Sequence, residues 1–285
     1  PLLDHRRQLL YQVVDSSPGR VDLHRVARSA HLLGVVGVAA LHYLDDVPPA
    51  ITLQEMESVK LMNRTDTKFI FNISHYPAVM NEIMEHYRVL EVEGKRISRY
   101  ETLYYDTGGY ELYYKHHQGK LNRYKIRHRT YVESNIRFLE VKFKNNKGRT
   151  IKTRISQKDV PYTWQDESEN FLTQMLPFQP NSLIPVIWIN YHRLTLVNRH
   201  SAERLTIDLG LEFKKNEHHQ TLDRLVIAEV KQEKRRASPF MQVMKKYHIR
   251  EGSISKYCMG IAFTCNEVKK NNFKAKLLTI KLKNS

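Results

Sequence analysis

The chain has 285 residues, of which 41% are hydrophobic and 10% aromatic, a composition that excludes a largely disordered protein and suits one large domain or two small ones. Its 46 Lys and Arg outnumber 30 Asp and Glu, and the formal net charge of +16 favours a polyanionic partner such as nucleic acid, anionic lipid or condensed phosphate. The two cysteines, Cys258 and Cys265, exclude a disulfide framework and a cysteine-rich metal site. They indicate a reducing compartment, and we expect a cytoplasmic protein.

The first 50 residues differ in amino-acid composition from the rest of the chain. They contain no lysine, and they have a Ser-Pro-Gly break at residues 17–19 and a closing Pro48-Pro49 pair. We interpret residues 1–50 as an N-terminal appendage of unassigned role. The longest apolar run, Ala30 to Leu44, is interrupted by two histidines and falls short of the ~20 residues that a spanning helix needs, so no membrane span is predicted.

From Ile51 onward, short alternating runs separated by Asn, Gly and Pro predict an α+β fold dominated by an antiparallel β-barrel, with few and short helices. We expect this domain to cover residues 51–265. Helices are predicted near Pro77, at Ser238-Pro239 and after Ser253, where the residues suit a first turn. The basic residues 266–285 are expected to form an edge strand or a loose tail.

Strict alternation of charge is the most informative pattern. Successive side chains of a strand point to opposite faces, so every second residue shares an environment. The segment 123–131 places four cations on one face and apolar or aromatic residues such as Tyr124 and Ile126 on the other. The charged rows of this and similar segments are Arg64, Asp66 and Lys68; Arg123, Lys125, Arg127 and Arg129; Glu140, Lys142 and Lys144; Lys152 and Arg154; Tyr191, Arg193 and Thr195; Arg204, Thr206 and Asp208; and Glu229 and Lys231.

Such rows are usually the solvated outer face of a sheet. The sign of the charge favours another interpretation, because Lys120 to Lys158 contains 13 Lys or Arg and only 2 acids. Solvent faces normally mix signs, and like charges opposite each other across strands are destabilising. We therefore predict that the cationic rows point into the barrel around an anion, while the apolar rows point outward and are covered by helices.

Phosphate suits this lining, because guanidinium groups bind it with bidentate hydrogen bonds and lysines add compact charges. Glu229, among cations, is interpreted either as an ion-pair partner or as a ligand of a divalent ion that bridges phosphate oxygens. Ser255-Lys256, at a predicted helix start, offers a further phosphate contact.

Several segments, in this order and spacing, carry a family resemblance from about Leu53 to Phe263. The segments are Arg64-Thr65-Asp66-Thr67-Lys68-Phe69, Tyr104-Tyr105-Asp106 with Leu112-Tyr113, Ile126-Arg127-His128-Arg129, Glu140-Val141-Lys142, Tyr191-His192-Arg193, Glu229-Val230-Lys231 and Ser255-Lys256-Tyr257. With these segments the chain resembles the catalytic domain of the vacuolar transporter chaperone (VTC) polyphosphate polymerases, within the CYTH-like triphosphate tunnel metalloenzymes.

The resemblance implies a metal-dependent phosphotransferase that moves the terminal phosphoryl of a nucleoside triphosphate, ATP in the first instance, to a growing polyphosphate chain. Polyphosphate or pyrophosphate would be its other partner, and Glu229 would hold Mn²⁺ or Mg²⁺. His116 stands where the eukaryotic polymerases have an arginine, which replaces a fixed cation with a titratable one. We assign catalytic contacts to Lys68, Arg127, Arg129, Lys142, Arg193 and Lys256, and further phosphate contacts to Arg64, His116, Lys125, Lys152, Arg154, Arg204, Lys231 and Ser255.

Three alternatives remain open from the sequence. A triphosphatase would use water as the acceptor, and a non-catalytic polyphosphate-binding module would keep the cations without needing a metal. Nucleic-acid binding is disfavoured, because cationic rows backed by apolar rows lack the exposed stacking surface of single-strand binders.

Overall fold

The computed structural model describes residues 48–57 and 64–285. The expected appendage lies almost wholly outside the described residues, which begin at Pro48. The strands are β1 (Ala50–Ile51), β2 (Thr65–Asn72), β3 (Tyr87–Leu90), β4 (Ile97–Thr107), β5 (Arg123–Tyr131), β6 (Ile136–Lys144), β7 (Thr150–Ser156), β8 (Leu183–Asn198), β9 (Glu203–Lys215), β10 (His218–Leu222) and β11 (Leu225–Gln232). The helices are α1 (Leu53–Glu57), α2 (Tyr76–Ile83), α3 (Glu111–His117), α4 (Asp166–Met175), α5 (Pro239–Lys246), α6 (Lys256–Thr264) and α7 (Lys274–Asn284).

All eleven strands belong to one sheet, whose main path runs β2-β11-β9-β8-β4-β5-β6-β7 with antiparallel neighbours. The α+β prediction is confirmed. The sheet curls, so that the segment leading into α6 contacts both halves of it. Gly252 donates its backbone N–H to the carbonyl of Lys68 on β2, and Ser255 accepts a hydrogen bond from Lys125 on β5. In the described residues no ladder joins β2 to β7, so the barrel is open along that seam.

The convex face of the sheet carries apolar rows that helices cover, as the alternation predicts. On β2, β11, β9 and β8 the rows pack against α2 and α5, which contribute Val79 and Phe240. On β4, β5 and β6 they pack against α4, where Leu172 is fully buried. Ile126 on β5 is fully buried in this second cluster, so its neighbours Lys125 and Arg127 point to the concave face.

Helix α6 fills one end of the concave face with apolar side chains. Tyr257 stacks on Tyr104 of β4, with the ring centroids 5.0 Å apart. A Cβ atom at Gly260 would lie 2.8 Å from Ile187 and 2.9 Å from Phe213, so only glycine allows this close approach of α6 to β8 and β9. The charged rows are thereby confined to the other part of the face.

A β-bulge sets the boundary between the charged and apolar parts. The register of β8 and β9 shifts between Asn190 and His192, opposite Gly210, which has a φ of +59° that favours glycine. As a result, Asp208 and Leu211 point to the same face although they are an odd number of positions, three, apart. The bulge lets one strand contribute to both the charged row and the apolar end.

Helix starts at Pro77, Ser238-Pro239 and after Ser253 are confirmed by α2, α5 and α6. The expectation of an edge strand or loose tail for residues 266–285 is wrong, because α7 occupies most of this segment and buries Ile280. Helices α3 and α4 were also not predicted. In the parts of the chain that the structure describes, no helix combines the length and the apolar character that crossing a membrane requires.

Candidate functional site: a cationic groove on the concave face

Polar side chains from eight strands meet on the concave face. Register pairs Arg127 with Glu140 across β5 and β6, and Arg193 with Asp208 across β8 and β9. The same faces continue along each strand because alternate residues share a side. The cations of this cationic groove are Lys68, Lys125, Arg127, Arg129, Lys142, Lys152, Arg154, Arg193, Arg204 and Lys231, joined by Lys256 from α6.

Glu140 is the anionic centre of the β5-β6-β7 side. Its side chain is completely buried, and its Oε2 accepts a hydrogen bond of 2.6 Å from Nε of Arg127. Lys152 from β7 also pairs with it. Although burial opposes ionisation, the charges of Arg127, Arg129 and Lys152 hold the pKa of Glu140 well below its usual range. Glu140 therefore fixes the direction of Arg127, and its single negative charge neutralises only one of the two cations that it contacts.

Asp208 plays the same part on the opposite side of the groove. Arg193 donates two hydrogen bonds to its carboxylate, of 2.6 and 2.7 Å, and Nζ of Lys256 lies 2.5 Å from Oδ2. Asp208 is only 3% exposed. Burial opposes ionisation here too, yet the two cations hold the pKa of Asp208 below its usual range. This carboxylate thus ties the start of α6 to the sheet and aligns two cations beside each other.

Glu229 lies on β11 between two lysines. Nζ of Lys231 is 2.6 Å and Nζ of Lys68 is 3.5 Å from its carboxylate oxygens. Burial lowers the pKa of Lys231 to about 8, even though Glu229 opposes this shift. Lys231 also donates to the hydroxyl of Thr206 at 3.1 Å. Glu229 is thus an ion-pair partner in the free protein.

Several cations of the groove have no carboxylate partner in the described residues. Arg129 is held by neutral groups, donating to the hydroxyls of Tyr191 at 2.8 Å and Thr102 at 3.2 Å. Lys142 has no hydrogen-bond or ion-pair partner there, and the neighbouring Arg127 together with burial holds the pKa of Lys142 well below its usual range. The other members of this group are Lys125, which donates only to Ser255, Arg154, which lies over the ring of Phe138, and Arg204.

The balance of charge in the groove is strongly positive. Among the described residues, eleven cations share three carboxylates, Glu140, Asp208 and Glu229, which leaves a formal excess of eight positive charges. Burying like charges together costs free energy unless a counter-charge accompanies them. A multivalent anion in the groove would supply that counter-charge and would contact several donors at once.

Two of the predicted phosphate contacts lie outside this groove. Arg64, in front of β2, pairs with Asp66 at 3.0 Å, and both side chains are more than a third exposed. His116 is on α3, beyond the end of β5, where burial and the charges of Lys125 and Arg123 lower the pKa of His116 to about 2. His116 is therefore a neutral imidazole. The remaining predicted residues meet in the groove, with Ser255 at its edge as the N-cap of α6.

Sequence reasoning did not assign a role in the site to four groups that the structure places there. Asp208 was recognised as part of a charged row, and its alternation with Arg204 was the available signal. Tyr104, Thr102 and Tyr191 orient arginines through their hydroxyl groups. Alternation puts them on the correct face, but uncharged side chains do not stand out in a sequence.

Metal-binding capacity in the groove is limited to single carboxylates. No three His, Cys, Asp or Glu side chains in residues 48–57 and 64–285 lie together as a ligand set. Glu229 could still hold a divalent ion if phosphate oxygens and water completed the coordination, which is the usual arrangement for Mg²⁺. The residues fit a metal that arrives together with a phosphate ligand.

Comparison with solved structures finds proteins of low sequence identity. A Hippeastrum protein, described as an adenylyl cyclase candidate with a dominant triphosphatase activity, is 9% identical with a TM-score of 0.44, covering 70% of this chain and 96% of that chain. An adenylate cyclase candidate from Vibrio parahaemolyticus is 13% identical with a TM-score of 0.41, covering 70% and 99%. A conserved hypothetical protein from Pyrococcus furiosus is 10% identical with a TM-score of 0.37, covering 66% and 92%.

No curated protein matches the chain. The family model that matches is described as the VTC domain and covers residues 63–265. This range contains β2 to β11 and all of the cationic groove. The resemblance drawn from the motifs is confirmed, and the chain belongs to the VTC domain family.

Proposed function

We propose that this chain is a polyphosphate polymerase that transfers the terminal phosphoryl group of a nucleoside triphosphate, most simply ATP, to a growing polyphosphate chain in the cationic groove. The observation that carries the proposal is the formal excess of eight positive charges in the cationic groove, where Lys142, Arg129 and Arg204 have no carboxylate partner among the described residues. A chain of phosphates matches a row of cations better than a single anion does.

The proposed work of the side chains is positioning and neutralisation. Arg127 and Arg129 on one wall and Arg193 and Lys256 on the other would bind the oxygens of the reacting phosphoryl groups. Lys68 and Lys142 would add charge at either side. Phosphoryl transfer requires little acid-base chemistry, so donors fixed in place before the reaction account for most of the rate. Glu140 and Asp208 supply that fixation.

Glu229 is the residue that would hold Mn²⁺ or Mg²⁺. Such an ion, when bound, would neutralise the negative charge that develops on the phosphate oxygens. In the free protein Lys231 and Lys68 already form ion pairs with Glu229. A phosphate ligand would therefore have to pair with these lysines in place of Glu229 as the metal binds. This arrangement makes metal binding depend on phosphate.

An assay with ATP and Mn²⁺ tests the proposal through its products. We expect the wild-type chain to form polyphosphate and Arg127→Ala to be slower by about a hundredfold or more, the usual loss when one donor to a developing oxyanion is removed. Inorganic phosphate without polyphosphate would instead indicate a triphosphatase. Neither product, in wild type and variant alike, would contradict an enzymatic role and leave a polyphosphate-binding module.

Glu229→Gln separates metal-dependent catalysis from simple binding. We expect this variant to lose activity, because it removes the carboxylate that would hold the metal. Binding of tripolyphosphate in EDTA should be unchanged or tighter, since the substitution also removes a negative charge beside Lys231 and Lys68. Calorimetry and the product assay measure both effects. Full activity of Glu229→Gln would contradict the metal assignment.

A further inference from the structure

The cationic row on β5 and β6 continues beyond the groove. Lys125 lies opposite Lys142, and two residues further along the strands Arg123 lies opposite Lys144. Cβ atoms of directly opposed residues are about 5 Å apart, so each pair places two like charges side by side. Arg123 and Lys144 are partly exposed, at the end of the groove that faces α3 and α7. We call Arg123, Lys144 and the nearby Lys276 of α7 the rim.

No carboxylate in the described residues pairs with the rim. The only hydrogen bond of the Arg123 side chain is donated to the carbonyl of Lys120, at 2.6 Å, and Lys144 has no partner there. Lys276 lies 6.0 Å from the ring centre of Phe273. Glu140, the nearest acid on the same row of β6, is already paired with Arg127 and Lys152. The rim therefore repeats the charge imbalance of the groove outside it.

His116 lies beside the rim and leaves a polar atom without a partner. Its Nδ1 atom is buried and has no hydrogen-bond partner in the described residues. Burial together with Lys125, Arg123, Lys276 and Lys144 keeps the imidazole neutral. A neutral imidazole among four cations leaves a donor or acceptor free without adding a further positive charge.

Packing between β5 and β6 does not explain the cations of the rim. The side chains that pack at these strand ends lie on the opposite face. Tyr124 and Phe143 stack there with ring centroids 4.6 Å apart, and Phe178 packs edge-on against Tyr124. These aromatic contacts hold β5 and β6 together against the repulsion between Arg123 and Lys144. The side chains of the rim take no part in these aromatic contacts.

We propose that the rim binds the part of a polyphosphate chain that extends beyond the cationic groove. In this proposal the cations of the groove hold a triphosphate, whereas a longer chain continues along the row of cations to Arg123 and Lys144. The rim thereby selects chain length. This inference rests on the proposed function only in requiring that the groove binds phosphate chains, and it does not depend on turnover.

The double variant Arg123→Ala/Lys144→Ala tests the rim by binding in EDTA, without nucleotide. We expect its affinity for long-chain polyphosphate to fall by about tenfold or more, since the variant loses the charge-assisted hydrogen bonds of two side chains. Its affinity for tripolyphosphate should stay within about twofold of the wild-type value. This change is well below the change expected from the loss of one charge-assisted hydrogen bond. The control Lys245→Ala/Lys246→Ala removes the same charge from α5 on the convex side and should change neither affinity.

The outcomes separate the rim from the groove. Equal losses for tripolyphosphate and long chains, or no loss for either, would overturn the rim, as would an equal loss of affinity for single-stranded RNA, which would indicate a general polyanion surface. Failure of tripolyphosphate to bind the wild type would contradict the proposed function instead. Loss confined to long polyphosphate supports the rim whether or not the chain polymerises ATP.

Discussion

Replacing Lys142 with methionine is expected to weaken tripolyphosphate binding by about tenfold or more while leaving the fold at least as stable. Lys142 has no partner within the described residues, and Arg127 and burial hold the pKa of Lys142 well below its usual range. In the free protein its charge is therefore a cost, whereas with phosphate bound it makes a charge-assisted hydrogen bond worth about 1.5–3 kcal/mol. Methionine fills a similar volume without charge.

Urea unfolding and calorimetry measure the two sides of this expectation. The free energy of unfolding of Lys142→Met should equal that of the wild type or exceed it by about 1 kcal/mol, because a half-buried charge without a partner in the described residues is removed. Lys245→Met on α5 is the matched control and should change neither quantity. A destabilised Lys142→Met variant that binds tripolyphosphate normally would show that Lys142 serves the fold and not the ligand.

Asp208→Asn, unlike Lys142→Met, should lower the free energy of unfolding. The substitution leaves Arg193 and Lys256 buried without their shared carboxylate, and breaking a buried pair in this way costs about 3–5 kcal/mol. Tripolyphosphate should restore part of the loss by supplying the missing negative charge. The rise in unfolding free energy at saturating tripolyphosphate is therefore expected to be larger in Asp208→Asn than in the wild type.

Asp66→Asn provides the control with the same chemical change. Asp66 pairs with Arg64, but both side chains are more than a third exposed, and such pairs contribute about 0–1 kcal/mol. Urea unfolding with and without tripolyphosphate compares the two variants. Similar small effects at Asp66 and Asp208, or an Asp208→Asn variant that tripolyphosphate does not stabilise, would contradict the role given to Asp208.

The cationic face could be predicted from the sequence because strand geometry has a period of two residues. In β5, four cations alternate with Tyr124, Ile126 and His128, and only one of these faces can be apolar. Ile126 is fully buried on the convex side, as that pattern requires. The sequence could not show that the seam between β2 and β7 stays unpaired, because pairing depends on how far the whole sheet curls.

Helix α7 shows how the same reasoning fails. Leu278, Ile280 and Leu282 alternate with polar residues and imitate a strand, but Leu278 and Leu282 are exposed by 58% and 65%. The residues that contact the core are Leu277 and Ile280, which have helical spacing. Two apolar contacts per segment are too few for either period to be decided from the sequence.

Long-range pairing was also beyond the sequence. Asp208 and Lys256 are 48 positions apart, and only the position of α6 on the concave face brings them together. For α4, in contrast, a local signal was present: Gln165 and Ser168 form a capping box before an acidic first turn. The residues that each strand contributes to the site can therefore be predicted from the sequence. The pairs that these residues form with other elements can be seen only in the folded structure.

A crystal structure of the chain with tripolyphosphate tests the central claim most directly. The account predicts phosphate oxygens within hydrogen-bonding distance of Arg127 and Arg129 on one wall and of Arg193 and Lys256 on the other, with Tyr124 and Ile126 away from the anion. Tripolyphosphate bound only on the convex face, with the cationic groove empty of it, would contradict the claim.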